Sequence, residues 1–317
     1  MQPTRYAILG TGALGGFYGA RLQRAGSEVH FLLHSEYEHV REHGLMVESK
    51  DGDFHLPKVN AYKNVDEIPK CDVAIVAWKA TQNHLLPALL PAVLKEDGVV
   101  LVLQNGLGVE EAAAAAAPGH RVFGGLCFIC SNRVGPGHIR HLDYGSIRMA
   151  EYSPEGAPAG ISETLRRLGS DFEQAGIEVA LLEDLVLARW QKLVWNIPYN
   201  GLSVVLDANT SELMENPDSL TLVEGLMWEV LEGAAACGRV IPGDFVQKML
   251  DMTRAMTPYR ASMKIDFDER RPMEVEAIHG EPLRIAATTG VELPLLKSLY
   301  HQLKFIGARY AAYKTKL

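Results

Sequence analysis

The stretch Gly10-Thr11-Gly12-Ala13-Leu14-Gly15-Gly16 decides the fold of this chain, because three of its glycines have the spacing G-x-G-x-x-G. It follows an apolar run, residues 6–9, and precedes residues 17–22, an order that predicts a strand, a tight turn and a helix. In such a turn the first glycine permits the bend, the second lets the backbone approach a pyrophosphate, and the third allows close helix–strand packing. We therefore predict that residues 10–15 bind a dinucleotide; a glycine turn without a ligand is the alternative.

Length and composition indicate a globular protein of two domains. The chain has 317 residues, of which 47% are hydrophobic and 22% are charged. Its net charge of −8 argues against nucleic acid or an anionic membrane as a partner. No apolar run approaches the ~18 residues of a membrane span. The first strand begins too early for a signal peptide, so we expect a cytoplasmic protein.

Four cysteines, at positions 71, 127, 130 and 237, are expected in a reducing compartment without a disulfide framework. Cys127 and Cys130 form a C-x-x-C motif, for which a redox or zinc role is one interpretation. No second pair completes a zinc site. Both cysteines alternate with apolar residues in a strand-like segment, which favours burial in a sheet.

The end of the second predicted strand distinguishes between NAD and NADP. Residues 28–33 predict this strand, which ends in His34-Ser35 without an acidic residue at its tip. An acidic side chain there would accept hydrogen bonds from the ribose 2′-hydroxyl and would repel a 2′-phosphate. Glu36 is close, but we expect it to begin the next helix. We therefore predict NADPH as the cofactor, with His34 and Ser35 beside its 2′-phosphate; a surface histidine without a ligand is the alternative.

Two further strands end in polar residues. Residues 73–77 lead to Trp78-Lys79, and residues 99–103 lead to Gln104-Asn105-Gly106. Open α/β sheets bind ligands at the carboxyl ends of their strands. Lys79 could therefore meet a phosphate or a substrate carboxylate, and Asn105 could bridge the nicotinamide ribose and the substrate. An exposed loop lysine and a ligand-free Asn-Gly turn are the alternatives.

Hydrophobic periodicity divides the chain near residue 184. Strands alternate with helices before that point, and residues 122–151 add further strands. Helical periodicity takes over afterwards. The predicted fold class is α/β: an N-terminal Rossmann-type doubly wound sheet, residues 1–183, with a C-terminal all-helical domain, residues 184–317.

The first helix of the second half carries an unusual lysine. Lys192 and Asn196 are four residues apart and lie on one helical face. Pro198 is predicted to kink or end the helix, with Asn200 just beyond. Lys192 either extends its amine to solvent or lines a cleft, and spacing alone leaves both interpretations open.

These stretches, taken in order, resemble the ketopantoate reductase (2-dehydropantoate 2-reductase) family over nearly the whole chain. Residues 190–196 are similar to the segment in which that family has a catalytic lysine four residues before a substrate-binding asparagine, and Asn200 continues this block. Ser262-Met263 with Asp266 resembles the family's substrate-binding serine segment. Residues 271–276 resemble a block whose glutamate aligns with Glu274, and Lys79 and Asn105 fall where the family has its cofactor-side lysine and asparagine.

The resemblance implies reduction of a 2-oxo acid by NADPH, with protonated Lys192 as the catalytic acid. It implies substrate contacts from Asn105, Asn196, Asn200, Ser262 and Glu274, and cofactor contacts from Lys79, Asn105 and Glu274. No metal is required, because Lys192 supplies the electrophile. The expected partner is a small 2-oxo acid, and the chain is expected to form a homodimer. A reductase of a different 2-oxo acid and a non-catalytic NADPH-binding sensor are the alternatives.

Three positions depart from the family pattern. The family commonly has Asn-Pro where this chain has Asn200-Gly201, and Asn-Gly where it has His279-Gly280. It often has arginine where this chain has His34. The first two departures bear on the substrate, and the third bears on the cofactor.

Overall fold

The computed structural model of the protein describes residues 3–256 and 260–314, and the side chains of these residues up to 309. Its backbone contacts divide the chain into two compact units. The first comprises Met1–Gln104 and Val109–Leu185, and the second comprises Asn105–Gly108 and Val186–Leu317. The short segment that follows Gln104 therefore groups with the helical half of the chain. None of the described helices is long and apolar enough to cross a membrane.

The first unit is built on one mixed sheet flanked by helices. The helices are α1 (Ala13–Arg24), α2 (Tyr37–His43), α3 (Leu86–Val93), α4 (Val109–Ala116) and α5 (Glu163–Gln174). The strands are β1 (Arg5–Leu9), β2 (Glu28–Leu32), β3 (Leu45–Ser49), β4 (Phe54–Leu56), β5 (Asn60–Tyr62), β6 (Cys71–Val76), β7 (Leu94–Val102), β8 (Arg121–Gly135), β9 (His138–Glu151) and β10 (Val179–Leu182).

The strand order of this sheet confirms the predicted Rossmann-type fold. The order is β4-β3-β9-β8-β7-β6-β1-β2-β5, with β10 beside β9. The run β5-β2-β1-β6-β7-β8 is parallel throughout and has the 3-2-1-4-5-6 order of dinucleotide-binding sheets. The direction of chain progression reverses between β1 and β6, and ligands bind at such a switch point. The glycine stretch follows β1 and Lys79 follows β6, so both lie at this point.

The core of the first unit lies where α1 crosses the sheet. Ile8 and Phe31 are fully buried on β1 and β2, and Phe17 and Tyr18 cover them from α1. Gly19 permits this approach, because a Cβ at that position would lie 2.6 Å from the ring of Phe31. The same packing fixes the first turn of α1 over the carboxyl end of β1.

The second unit is helical, and residues 186–256 and 260–314 contain no strand. This confirms the predicted helical C-terminal region. Its helices are α6 (Leu185–Val205), α7 (Thr210–Glu215), α8 (Pro217–Ala236), α9 (Asp244–Ala255), α10 (Ser262–Asp268), α11 (Glu281–Thr288) and α12 (Pro294–Lys314).

Helix α6 corrects one of the two outcomes predicted for Pro198, namely that the helix ends there. The helix continues through this proline to Val205, so Asn200 lies within α6 and not beyond its end. A proline costs a helix one backbone hydrogen bond, but tertiary packing often outweighs that loss. Here Val194, Ile197 and Tyr199 are fully buried around Pro198, so continuing the helix keeps them in the core.

Candidate active site

The three motif glycines differ in what surrounds them: neighbours crowd Gly10 and Gly15 but not Gly12. Gly10 has φ of +100°, and a Cβ there would lie 2.5 Å from the backbone nitrogen of Trp78. A Cβ at Gly15 would meet the carbonyl oxygen of Gly10 and the side chain of Ile8. A Cβ at Gly12 would meet nothing within 4 Å. The loop is therefore packed at its first and third glycines and open at its second, as a phosphate-binding turn requires.

The N-terminus of α1 is suited to an anion. Its first backbone N–H groups, beginning at Ala13 and Leu14, receive no side-chain cap, and its first turn has no acidic residue. Unsatisfied N–H groups and the helix dipole together attract a phosphate. The hydroxyl of Thr11 donates to the carbonyl oxygen of Leu32 at 3.0 Å, which ties the glycine loop to the end of β2.

The end of β2 has two exposed polar residues and a buried acid. His34 and Ser35 are exposed. Glu36 directly precedes α2, as predicted, and its side chain is buried. One carboxylate oxygen pairs with Arg133, and the other accepts a hydrogen bond from the N–H of Gly137 at 3.0 Å. Glu36 is therefore committed to protein partners and is not presented to a ribose.

The loop after β6 is held by a hydrogen-bond network that sequence patterns did not identify. Oδ1 of Asn83 accepts hydrogen bonds from Trp78 Nε1 at 3.2 Å and from Gln104 Nε2 at 2.6 Å. Gln104 Nε2 also donates to the carbonyl oxygen of Trp78 at 3.0 Å. This network braces the loop that carries the half-buried Lys79, at the carboxyl edge of the sheet.

In the second unit, the segment that carries Asn105 is joined to the segment after Glu274. The N–H of Leu107 donates to the carbonyl oxygen of Ala277 at 2.9 Å. Gly106 has φ of +94°, and a Cβ there would collide with that same carbonyl group. Asn105 is half-buried and Glu274 is buried, so the fold keeps both polar residues in well-packed surroundings.

Lys192, Asn196 and Asn200 follow one another at intervals of four along the continuous helix α6, and so lie on one face. Lys192 is half-buried, and both asparagines are buried. Buried amides need hydrogen-bond partners, from the protein or from a ligand. This face is therefore a polar strip on a mostly apolar helix.

Asn200 brings Ser262 to this face. Its Oδ1 accepts hydrogen bonds from the Ser262 hydroxyl at 3.1 Å and from the N–H of Met263 at 3.0 Å. Helix α10 has no cap of its own, because the residue before it is Ala261. Asn200 therefore satisfies the first turn of α10 from the neighbouring helix α6, and it fixes Ser262 beside the strip.

The role of Asn200 as a cap gives a first prediction. Replacing Asn200 by alanine leaves the buried N–H of Met263 without an acceptor, which should lower the free energy of unfolding by about 1–3 kcal/mol. Asn200→Asp retains the acceptor and should unfold close to the wild-type midpoint in urea. If Asn200→Asp is destabilised as strongly as Asn200→Ala, the capping role of Oδ1 is wrong.

Charged groups also surround α10. Asp266 is fully buried, and its carboxylate accepts a hydrogen bond from Arg271 Nε at 3.0 Å. Lys264 is buried and pairs with Asp207 at 2.8 Å and with Asp268. Burial alone would lower the pKa of Lys264, but the hydrogen bonds to Asp207 and Asp268 outweigh it. The pKa is raised overall, so the lysine stays charged. Lys264 was not predicted from the sequence, although its spacing of four from Asp268 is a detectable pattern.

The two departures in the second unit are in contact with each other. His279 is fully buried, and its Nε2 donates to the carbonyl oxygen of Ile197 on α6 at 3.1 Å. A Cβ at Gly201 would lie 2.8 Å from that same nitrogen and 2.5 Å from Leu299 Cδ2. The absence of a side chain at Gly201 therefore leaves room for the imidazole of His279.

Gly201 accordingly gives a second prediction. The added methyl group of Gly201→Ala should overpack His279 and Leu299 and lower the free energy of unfolding by about 1–3 kcal/mol. The matched control is Gly307→Ala on α12, where a Cβ would come no closer than 3.9 Å to another residue. That control should be neutral or stabilising, since alanine favours helix. Equal unfolding midpoints for the two variants would contradict the packing argument.

Cys127 and Cys130 are buried thiols on β8, as the predicted strand implied. They lie opposite Ile147 and Asp143 of β9. Within residues 3–256 and 260–314, no cluster of three or more His, Cys, Asp or Glu has an arrangement that could hold a metal ion.

The chain has the architecture of a two-part Rossmann-type oxidoreductase. Its parallel strands in 3-2-1-4-5-6 order carry a glycine loop, and a helical unit with a polar strip follows. Two family descriptions match the chain: "Ketopantoate reductase PanE/ApbA" over residues 6–154, and its C-terminal counterpart over residues 184–307. The chain therefore belongs to the ketopantoate reductase family.

Individual relatives agree with this assignment. A 2-dehydropantoate 2-reductase of Nostoc sp. is 62% identical over 309 residues, which are 98% of this chain and 97% of the relative. The crystal structure of a 2-dehydropantoate 2-reductase from Geobacter metallireducens matches with a TM-score of 0.91 and 41% identity, covering 95% of this chain and 99% of that one. A D-mandelate dehydrogenase solved with NADH and anilino(oxo)acetate matches with a TM-score of 0.86 at 22% identity, covering 97% and 99%, and shares the fold.

Proposed function

We propose that this protein reduces 2-dehydropantoate to pantoate with NADPH. The observation that carries the proposal is the polar strip of α6, on which Lys192, Asn196 and Asn200 share one face with Ser262 held beside them. A dinucleotide-binding module alone would not need such a strip. The 62% identity to the Nostoc sp. enzyme supports the same substrate.

Lys192 acts as the general acid in this proposal. The bound cofactor supplies a hydride to the carbonyl carbon of the substrate, and the carbonyl oxygen then needs a proton. A protonated lysine stabilises the negative charge that develops on this oxygen and donates the proton that completes the hydroxyl group. The consumed species are the 2-oxo acid, NADPH and one proton, and the products are the 2-hydroxy acid and NADP⁺.

The remaining polar residues of the proposed site bind and orient the substrate. Asn196, Asn200 and Ser262 carry neutral hydrogen-bonding groups, which suit a hydroxyl and a carboxylate. The buried carboxylate of Glu274 and the amide of Asn105 complete the substrate contacts, and both residues also face the cofactor in this proposal. Preorganised polar groups in a water-poor site favour the charge distribution of the transition state.

The first unit fits a nicotinamide dinucleotide. The glycine loop is open at Gly12 and meets an uncapped helix N-terminus, which suits the pyrophosphate. Lys79 adds a positive charge at the switch point of the sheet. The exposed His34 and Ser35, together with the sequestered carboxylate of Glu36, favour NADPH over NADH.

A different 2-oxo acid is the second candidate substrate, because Gly201 on α6 and His279, which packs against α6, depart from the family pattern. The direct test is NADPH oxidation at 340 nm with a panel of 2-oxo acids that includes 2-dehydropantoate, 2-oxoisovalerate and phenylglyoxylate. We expect the highest kcat/KM for 2-dehydropantoate. A higher value for another acid would reassign the substrate, and no turnover of any acid would favour a cofactor-binding sensor. Homodimer formation stays a prediction, which light scattering would test.

A further inference from the structure

The sheet carries an arginine near the end of β2 that the proposed mechanism does not use. Arg133 lies on β8, and one of its terminal nitrogens pairs with the carboxylate of Glu36. The side chain of Glu36 is 9% exposed, whereas that of Arg133 is 44% exposed. The carboxylate is therefore buried behind the guanidinium, which faces solvent.

Two hydrogen bonds and the position of Arg133 on β8 bring this arginine to the cofactor-binding corner of the sheet. The Thr11 hydroxyl joins the glycine loop to Leu32 at the end of β2. The Ser131 hydroxyl lies 3.4 Å from the carbonyl oxygen of Ala13, in the first turn of α1. Arg133 is two residues beyond Ser131 and therefore lies on the same side of the strand. The glycine loop, the end of β2 and the later part of β8 thus meet at one corner.

The path of β8 explains how an arginine so distant in sequence reaches this corner. Its pairing with β9 shifts register between Phe128 and Ile129, between Cys130 and Ser131, and between Arg133 and Gly135. Such irregularities bend a strand and redirect its side chains. The later part of β8 consequently crosses the first turn of α1.

The charges at this corner suit a phosphate monoester. An unpaired Glu36 would repel a 2′-phosphate, but Arg133 neutralises it, and the N–H of Gly137 holds the second carboxylate oxygen at 3.0 Å. The Nε and Nη2 groups of Arg133 have no hydrogen-bond partner within the described part of the chain. A guanidinium can donate two parallel hydrogen bonds to a phosphate while a carboxylate fixes its other edge.

We propose that Arg133 binds the adenosine 2′-phosphate of NADPH, with Glu36 as the residue that positions its guanidinium. This inference rests on the proposed use of NADPH. The family often has an arginine at the end of the second strand, where this chain has His34. In this proposal Arg133 replaces that arginine in function. His34 and Ser35 are exposed at the same strand end and add further hydrogen-bonding groups.

The test measures dissociation constants for NADPH and NADH by nucleotide fluorescence. For Arg133→Ala, the Kd of NADPH should rise about 10- to 100-fold, because a charge-assisted contact is lost, whereas the Kd of NADH should stay within about twofold. The matched control is Arg140→Ala, which removes an arginine of similar exposure that pairs with Glu48 on the same sheet. That control should leave both constants unchanged.

Two further variants keep the test decisive. Arg133→Ala leaves a buried carboxylate unpaired, so the double variant Arg133→Ala/Glu36→Gln should restore the unfolding temperature without restoring NADPH affinity. Glu36→Gln alone should keep the preference for NADPH. If Arg133→Ala weakens both nucleotides equally, or weakens neither, the assignment of Arg133 is overturned. If the wild-type protein itself binds NADH at least as tightly as NADPH, the proposed use of NADPH is wrong. The wild-type dissociation constants therefore test the cofactor separately from the role of Arg133.

Discussion

Lys192→Ala should lower kcat by about 10²–10⁴-fold, while the Kd of NADPH stays near its wild-type value. Proton transfer from a positioned side chain contributes a factor of this size, and loss of charge stabilisation at the developing oxyanion adds to it. Lys192 belongs to the helical unit, whereas the glycine loop and Lys79 belong to the sheet unit. The effect should therefore fall on turnover and not on cofactor binding, and steady-state kinetics with a fluorescence titration separate the two.

Two controls sharpen this prediction. Lys192→Arg keeps the positive charge but should also be slow, because a guanidinium is too basic to release a proton readily. Lys248→Ala removes an exposed lysine of α9 and should leave kcat unchanged. A folded Lys192→Ala protein with a near-normal kcat would remove this lysine from the mechanism and leave it as a residue that extends to solvent from a structural helix.

The stability of the protein should fall by up to about 3 kcal/mol as the pH drops from about 6.5 to about 4, through His279 alone. Burial lowers the pKa of His279 to about 4, and the hydrogen bond to Ile197 opposes this only in part. An unfolded histidine titrates near 6.5. Between these values the unfolded state binds the proton and the folded state does not, so the contribution is fully present above about pH 6.5 and is lost toward pH 4.

The variant His279→Asn isolates this contribution from the titration of other groups. The difference in unfolding free energy between wild type and His279→Asn should change with pH in the window from about 6.5 to about 4 and be flat above it. His84→Asn replaces an exposed histidine and should reproduce the wild-type pH dependence. Parallel curves for wild type and His279→Asn would show that His279 is not buried in its neutral form.

Local patterns were sufficient to predict the sheet and the strip. The glycine spacing after residues 6–9 predicts the turn that Gly10 and Gly15 make, because the positive φ of Gly10 and the approach of Gly15 to Gly10 and Ile8 involve residues close in sequence. The spacing of four between Lys192 and Asn196 places them on one face, because the periodicity of a helix is a local property. The features that could be predicted are therefore those that depend on residues close together in the sequence.

Features that depend on distant pairs could not be predicted in this way. Glu36 and Arg133 are 97 residues apart, and His279 and Ile197 are 82 apart. Nothing near Gly201 in the sequence indicates that an imidazole will occupy the space beside it. The helix continues through Pro198 because buried neighbours compensate for the lost hydrogen bond, and that burial is visible only in the folded chain.

The most direct test of the central claim is the fate of hydrogen in the product. The enzyme would be incubated with 2-dehydropantoate and NADPH deuterated at both C4 positions, and the product would be analysed by mass spectrometry. We expect pantoate with a single deuterium at C2, and no such product from Lys192→Ala within the same time. Pantoate without deuterium, or no pantoate while another 2-oxo acid is reduced, would contradict it.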